Sequence, residues 1–182
     1  MLRCMGSQGH WSYAELREAY RPERVRVLLI GESAPDPGAA ERRFFYAPVL
    51  DRRDNLFRGV VEALFGESPG RAGDPKAPWL ARLKDMGVYL IDLVPFPVDK
   101  LVARERARAR RDHVTACVEQ ARSLQAGGIV VCHSPSFGVL AEPLRRAALP
   151  LLHEERIPFP LGNHRAAFVA KVRAAIARIP AV

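Results

Sequence analysis

Cysteine is scarce in this chain: Cys4, Cys117 and Cys132 are the only three in 182 residues, and no Cys-x-x-Cys pair occurs. That pattern argues against a disulfide framework, a zinc ribbon or an iron–sulfur cluster and points to a reducing cytoplasm. Long apolar runs are missing as well. Nothing approaches the ~18 residues of a membrane span, and the first residues, with Gln8, His10 and Trp11, lack the apolar segment of a signal peptide. There is no internal repeat. A cytoplasmic protein with no membrane contact, no metal and no cofactor is expected.

Negative charge is also in deficit. Lys and Arg number 28 against 20 Asp and Glu, for a formal charge of +8 and a pI near 10. Each cation placed near a phosphate releases condensed counterions, so the excess favours a polyanionic partner, with DNA as the expectation. A biased genomic base composition is the competing source, because the excess is mostly Arg and accompanies much Ala and Pro. With 48% hydrophobic residues the chain can build one core and is short for two. The expectation is a monomer with an arm and short helix over 1–24 and a single domain over 25–182.

The stretch that organises the rest is Val25-Arg26-Val27-Leu28-Leu29-Ile30-Gly31-Glu32-Ser33-Ala34-Pro35-Asp36-Pro37-Gly38. Its apolar half suits a parallel strand covered on both faces, and in such sheets ligands bind beyond the carboxyl ends of the strands. Gly31 permits a tight turn, Glu32, Ser33 and Asp36 supply polar groups, and Pro35 and Pro37 stiffen the exit. An ordinary strand-to-loop exit is the plainer alternative.

Around it the chain alternates. Ser12 predicts a capped helix to about Tyr20, with Glu15 completing a capping box. Phe44-Phe45-Tyr46 sit in the long connection 31–54, either plugging the edge of the core or forming a flat surface for a planar ligand. Helices are predicted from Asp54 or Asn55 to Gly66 and over Trp79 to Met86, and Val88 to Asp92 reads as the second strand. An Arg-rich helix follows from about Ala103 to Leu124, its charges spread around the axis as on a solvated surface. Gly127 and Gly128 end that helix. Ile129 to Cys132 is the third strand, ending on His133-Ser134-Pro135-Ser136, and a helix from Ser136 to about Ala147 follows it. Leu149 to Leu152 is a short fourth strand, and Arg165 to Ile179 a closing helix. These alternations predict an α/β protein: a three-layer α/β/α sandwich around a four-stranded, mostly parallel sheet.

Three ordered segments resemble the uracil-DNA glycosylase superfamily. They are Leu29-Ile30-Gly31-Glu32-Ser33-Ala34-Pro35, Gly87-Val88-Tyr89-Leu90-Ile91-Asp92-Leu93-Val94, and Pro158-Phe159-Pro160-Leu161-Gly162-Asn163-His164-Arg165-Ala166-Ala167-Phe168. The resemblance implies a glycosylase that flips a damaged or deaminated base out of DNA and hydrolyses its N-glycosidic bond, in base excision repair. It places Glu32, Ser33, Asp36 and His164 as catalytic candidates, and Gly31, Phe44, Phe45, Asp92 and His133 around the base. Pro158, Pro160, Leu161, Asn163 and Arg165 fall to the DNA contact, with Leu161 as the wedge filling the stack.

The chain departs from the family at three positions. Ser33 stands where the best-known branch has an Asp, so Glu32 or Asp36 must supply the charge. Ile157 aligns with the family's second-motif His, which only His164 or His133 can replace. Asp92 replaces the base-reading Asn, and an ionised carboxylate cannot donate to the O4 of uracil. A different base or a lost activity follows from these changes. Two other classes stay open: a non-catalytic nucleic-acid-binding protein of the same fold, and a small serine esterase using Ser33 and His164.

Overall fold

The computed structural model describes residues 12–36 and 44–179. The arm expected over 1–11, together with Pro37 and Gly38, lies outside the described residues. The first element, α1 (Tyr13–Ala19), carries the expected capping box: the Ser12 hydroxyl accepts from the Glu15 N–H at 3.2 Å, and the Glu15 carboxylate accepts from the Ser12 N–H at 2.7 Å.

Three strands, β1 (Val27–Gly31), β2 (Val88–Asp92) and β3 (Gly128–Val131), form a parallel sheet in the order β2-β1-β3. β1 is central, hydrogen-bonded on both edges, and Leu28, Leu29 and Ile30 have no exposure. Its unbroken apolar run therefore has partners above, below and beside it. Helices flank the sheet: α2 (Asn55–Phe65), α3 (Ala77–Asp85), α4 (Ala103–Asp112), α5 (Val114–Ser123), α6 (Ser134–Arg146) and α7 (Arg165–Ile176), the last entered through a 3-10 turn over Gly162–His164. α2 packs on α7, while α4, α5 and α6 pack on one another. No described helix is long and apolar enough to cross a membrane.

Two expectations are corrected. The fourth strand at Leu149–Leu152 shrinks to a single parallel bridge between Leu151 and Ile129. Pro150 has no N–H to add to the ladder, and the next donor in line, the Val131 N–H, goes to His153 Nε2 at 3.0 Å. The sheet thus has three strands among the described residues. The single Arg-rich helix is two, α4 and α5, broken at His113. Its ring Nδ1 donates to the Ala109 carbonyl at 2.8 Å, taking the acceptor that its own backbone N–H would use in a continuous helix.

Phe44, Phe45 and Tyr46 are buried, so the plug is what they form on one side. The Tyr46 hydroxyl accepts from the Leu90 N–H at 2.7 Å and donates to the Leu90 carbonyl at 3.2 Å. It thereby satisfies backbone groups on the outer edge of β2, where the sheet ends.

Gly59 sets the approach of α7 to α2. A Cβ there would lie 2.9 Å from the Phe168 ring and 3.0 Å from Pro160 Cβ. The Gly59→Leu variant should lose about 1–3 kcal/mol of stability through overpacking, measured by urea unfolding. Phe168 and the Pro160 loop must move to admit it.

Candidate active site at the strand ends

The register places the carboxyl ends of all three strands at one level: Gly31 is opposite Asp92, and the Cys132 N–H donates to the Ile30 carbonyl at 2.9 Å. Beyond them opens a cavity of about 380 Å³, lined among others by Gly31, Glu32, Ser33, Phe44, Phe45, Asp92, His133 and Leu161. Most of the residues singled out from the sequence therefore meet in one place. Their arrangement is one carboxylate on each of two adjacent strand ends, an imidazole on the third, and aromatic side chains as walls.

Glu32 is 11% exposed and ion-paired to Arg106 and Arg110, with His133 Nε2 3.9 Å from its carboxylate. Burial by itself raises the Glu32 carboxyl, but Arg106, His133 and Arg110 outweigh it and hold the group below its ordinary value. Glu32 is ionised at neutral pH. His133 is pushed down chiefly by burial, against the pull of Glu32, and stays neutral there. Its Nδ1 is 2.8 Å from the Ser136 hydroxyl, which fixes the ring.

Asp92 differs. Its side chain is 8% exposed, and Arg17 of α1 reaches Oδ2 with Nη2 at 2.6 Å. Burial outweighs this partner and raises the carboxyl from the ordinary 3.8 to about 6. Tyr13 of the same short helix stacks on Phe44 with ring centroids 4.2 Å apart. The N-terminal helix, assigned from the sequence to a separate arm, is thus tied to both a wall and a carboxylate of the cavity.

A buried ion pair supports the aromatic wall. Lys76 Nζ has no access to solvent and donates to Asp54 Oδ2 at 2.8 Å and to the Phe44 carbonyl at 2.9 Å, and it lies 4.2 Å from the Phe57 ring centroid. Burial lowers the Lys76 ammonium to about 8 despite Asp54, and raises the Asp54 carboxyl. The pair holds the Phe44 backbone where α2 begins.

Asp36, Pro158, Pro160, Asn163, His164 and Arg165 fall outside the lining, and Ser33 within it lacks the partner an esterase needs. Asp36 is ion-paired to Lys100, and Arg165 Nε donates to Glu62 at 2.7 Å. His164 and Asn163 are exposed on the 3-10 turn. The Ser33 hydroxyl accepts from the Val98 N–H at 3.4 Å and makes no hydrogen bond to His164. Ile157 is fully buried, its carbonyl taking the Ser134 hydroxyl at 2.8 Å, so the position offers no ionisable group. Pro160 is buried against Gly59, Pro158 is half-buried, and Leu161 projects at the rim, 60% exposed beside Phe159.

Sequence reasoning missed Arg17, Arg106 and Arg110, treating the α4 charges as solvated. The signal for the last two was their i, i+4 spacing, which puts both on one face of a helix able to reach a strand-end acid. Nothing local marked Arg17. Comparison with known protein families, with curated proteins and with solved structures gives no match.

Two measurements test this geometry. A carboxyl whose native pKa exceeds its unfolded one favours the fold most when protonated, below about pH 4, and that contribution is lost as pH rises through about 6. Relative to Asp92→Asn, the wild type should lose up to about 3 kcal/mol of stability between pH 4 and pH 7 in urea unfolding. Lys76→Met strands the Asp54 charge and should cost about 3–5 kcal/mol, more than half of it regained in Lys76→Met/Asp54→Asn.

Proposed function

We propose that this cavity receives a planar nucleobase flipped from DNA and that Glu32 promotes hydrolysis of its N-glycosidic bond. The observation that carries the proposal is an ionised, largely buried carboxylate at a strand end, set beside the walls of Phe44 and Phe45 and below an exposed apolar residue, Leu161, at the cavity rim. A flipped base leaves a gap in the stack, and Leu161 on its proline-stiffened loop is the side chain available to fill it. The reading fits a three-layer α/β/α domain acting as a monomer on DNA. The buried, unpaired thiols of Cys117 and Cys132 fit a reducing cytoplasm.

Cleavage of an N-glycosidic bond leaves positive charge on the sugar and negative charge on the departing base. An ionised Glu32 stabilises the former by electrostatics, and its lowered proton affinity makes it a poor proton acceptor. The neutral His133 ring borders the same space and supplies a nitrogen for the departing base or for water. Arg106 and Arg110 keep Glu32 charged, and their excess positive charge favours a nearby phosphate.

A second reading has its own support. Two arginines on one carboxylate also describe a group neutralised for structure, as in a nucleic-acid-binding protein without catalysis. Duplex and single-stranded oligonucleotides carrying uracil, hypoxanthine, xanthine or mismatches separate the two after alkali treatment. Strand breaks at one or more modified bases, slowed about 100-fold or more in Glu32→Gln, are the expected result. Salt-sensitive retardation without any break would establish the non-catalytic protein instead. Hydrolysis of p-nitrophenyl esters lost in Ser33→Ala would favour the esterase.

A further inference from the structure

The two oxygens of Asp92 have different surroundings. Oδ2 is occupied by Arg17 Nη2 at 2.6 Å, whereas Oδ1 has no hydrogen-bond donor among the described residues. Oδ1 lies 2.9 Å from the position a Cβ would take on Gly31, so the missing side chain of Gly31 is what leaves space for it at the cavity wall. The Tyr46 hydroxyl on the outer edge of β2 is committed elsewhere, since it serves both backbone groups of Leu90. The cavity that Asp92 lines carries the apolar side chains Phe44, Phe45, Leu56 and Phe159, with Glu32, Arg106 and His133 among its polar groups. An acceptor on a side chain only 8% exposed, with no donor from the described residues, is best matched by a donor from the ligand.

We propose that Asp92, oriented by Arg17, is the specificity-determining residue of the cavity and selects a planar heterocycle bearing an amino group, cytosine-like or adenine-like, over a uracil-like one. An amino group places its N–H on the free Oδ1 while the ring lies between the aromatic walls. In uracil the N3–H is flanked by two carbonyl oxygens, so an approach through it sets a second acceptor against the carboxylate. Arg17 is a positioning residue here: by holding Oδ2 it decides which oxygen faces the ligand. The inference rests on the cavity being a base-binding site, and it goes beyond that by naming the edge of the base.

The test is equilibrium binding of 1-methylcytosine, 9-methyladenine and 1-methyluracil, in which the methyl group stands for the sugar and removes the N1–H or N9–H donor, to the full chain by titration calorimetry or ligand-observed NMR. At least one amino-bearing base should bind about tenfold or more tightly than uracil, the difference between a hydrogen bond to a charged group and an unmatched acceptor. Asp92→Asn, which can donate as well as accept, should shrink that ratio below about threefold or invert it. Arg17→Met should shrink it too, and Arg17→Lys should keep it. A merely structural role for Arg17 would weaken all three bases alike and leave the ratio unmoved. Equal or tighter binding of uracil, an intact ratio in Asp92→Asn, or no binding of any base would overturn the inference. The two proposals fail separately. A preference for amino-bearing bases without strand breaks in DNA removes excision and keeps the selectivity, whereas breaks at uracil with no binding preference do the reverse.

Discussion

The parallel ladder of β1 between β2 and β3 is the constraint on which everything else depends. It pairs the backbone of the most buried strand on both edges and brings three strand ends to one level. The groups that follow those ends, Glu32 after β1 and His133 beyond β3, with Asp92 closing β2, are thereby gathered without any need for local flexibility. Loops then close around a position already fixed by the sheet. A slip of one residue would turn each of these side chains to the other face.

Charge in the cavity is brought in at two strand ends and at the start of α2, and is answered by helices or the residues that cap them. Asp92 is met by Arg17 from α1, Glu32 by Arg106 and Arg110 from α4, and Asp54 by Lys76 next to α3. The outcomes differ because the balance of burial and pairing differs. Two guanidiniums overcome the burial of Glu32, whereas one does not overcome that of Asp92. A carboxyl kept in its charged form above pH 6 at the expense of the fold is the kind of local conflict found where a protein binds or reacts.

The same elements show what could be read in advance. β1, β2 and β3, the Ser12 capping box and the helix ended by Gly66 were legible because each rests on local chemistry: apolar runs, a side-chain cap, a residue free to adopt φ +69°. The fourth strand failed because the fate of one N–H, that of Val131, depended on His153. The long Arg-rich helix failed because a ring nitrogen competed for a carbonyl. Both outcomes hang on one hydrogen bond that no periodicity encodes.

By itself the sequence determined that an α/β domain would form and that Gly31, Glu32, Asp92 and His133 would lie at strand ends, because apolar runs and the turns that stop them are local properties. It also determined the positive charge. Tertiary structure alone decided which cations answer which acids, since Arg17 and Asp92 are 75 residues apart and Arg110 and Glu32 are 78 apart. Ion pairing at such separations is a matter of where helices pack. That packing fixes which way each carboxyl's proton affinity moves and which oxygen of Asp92 is held by Arg17.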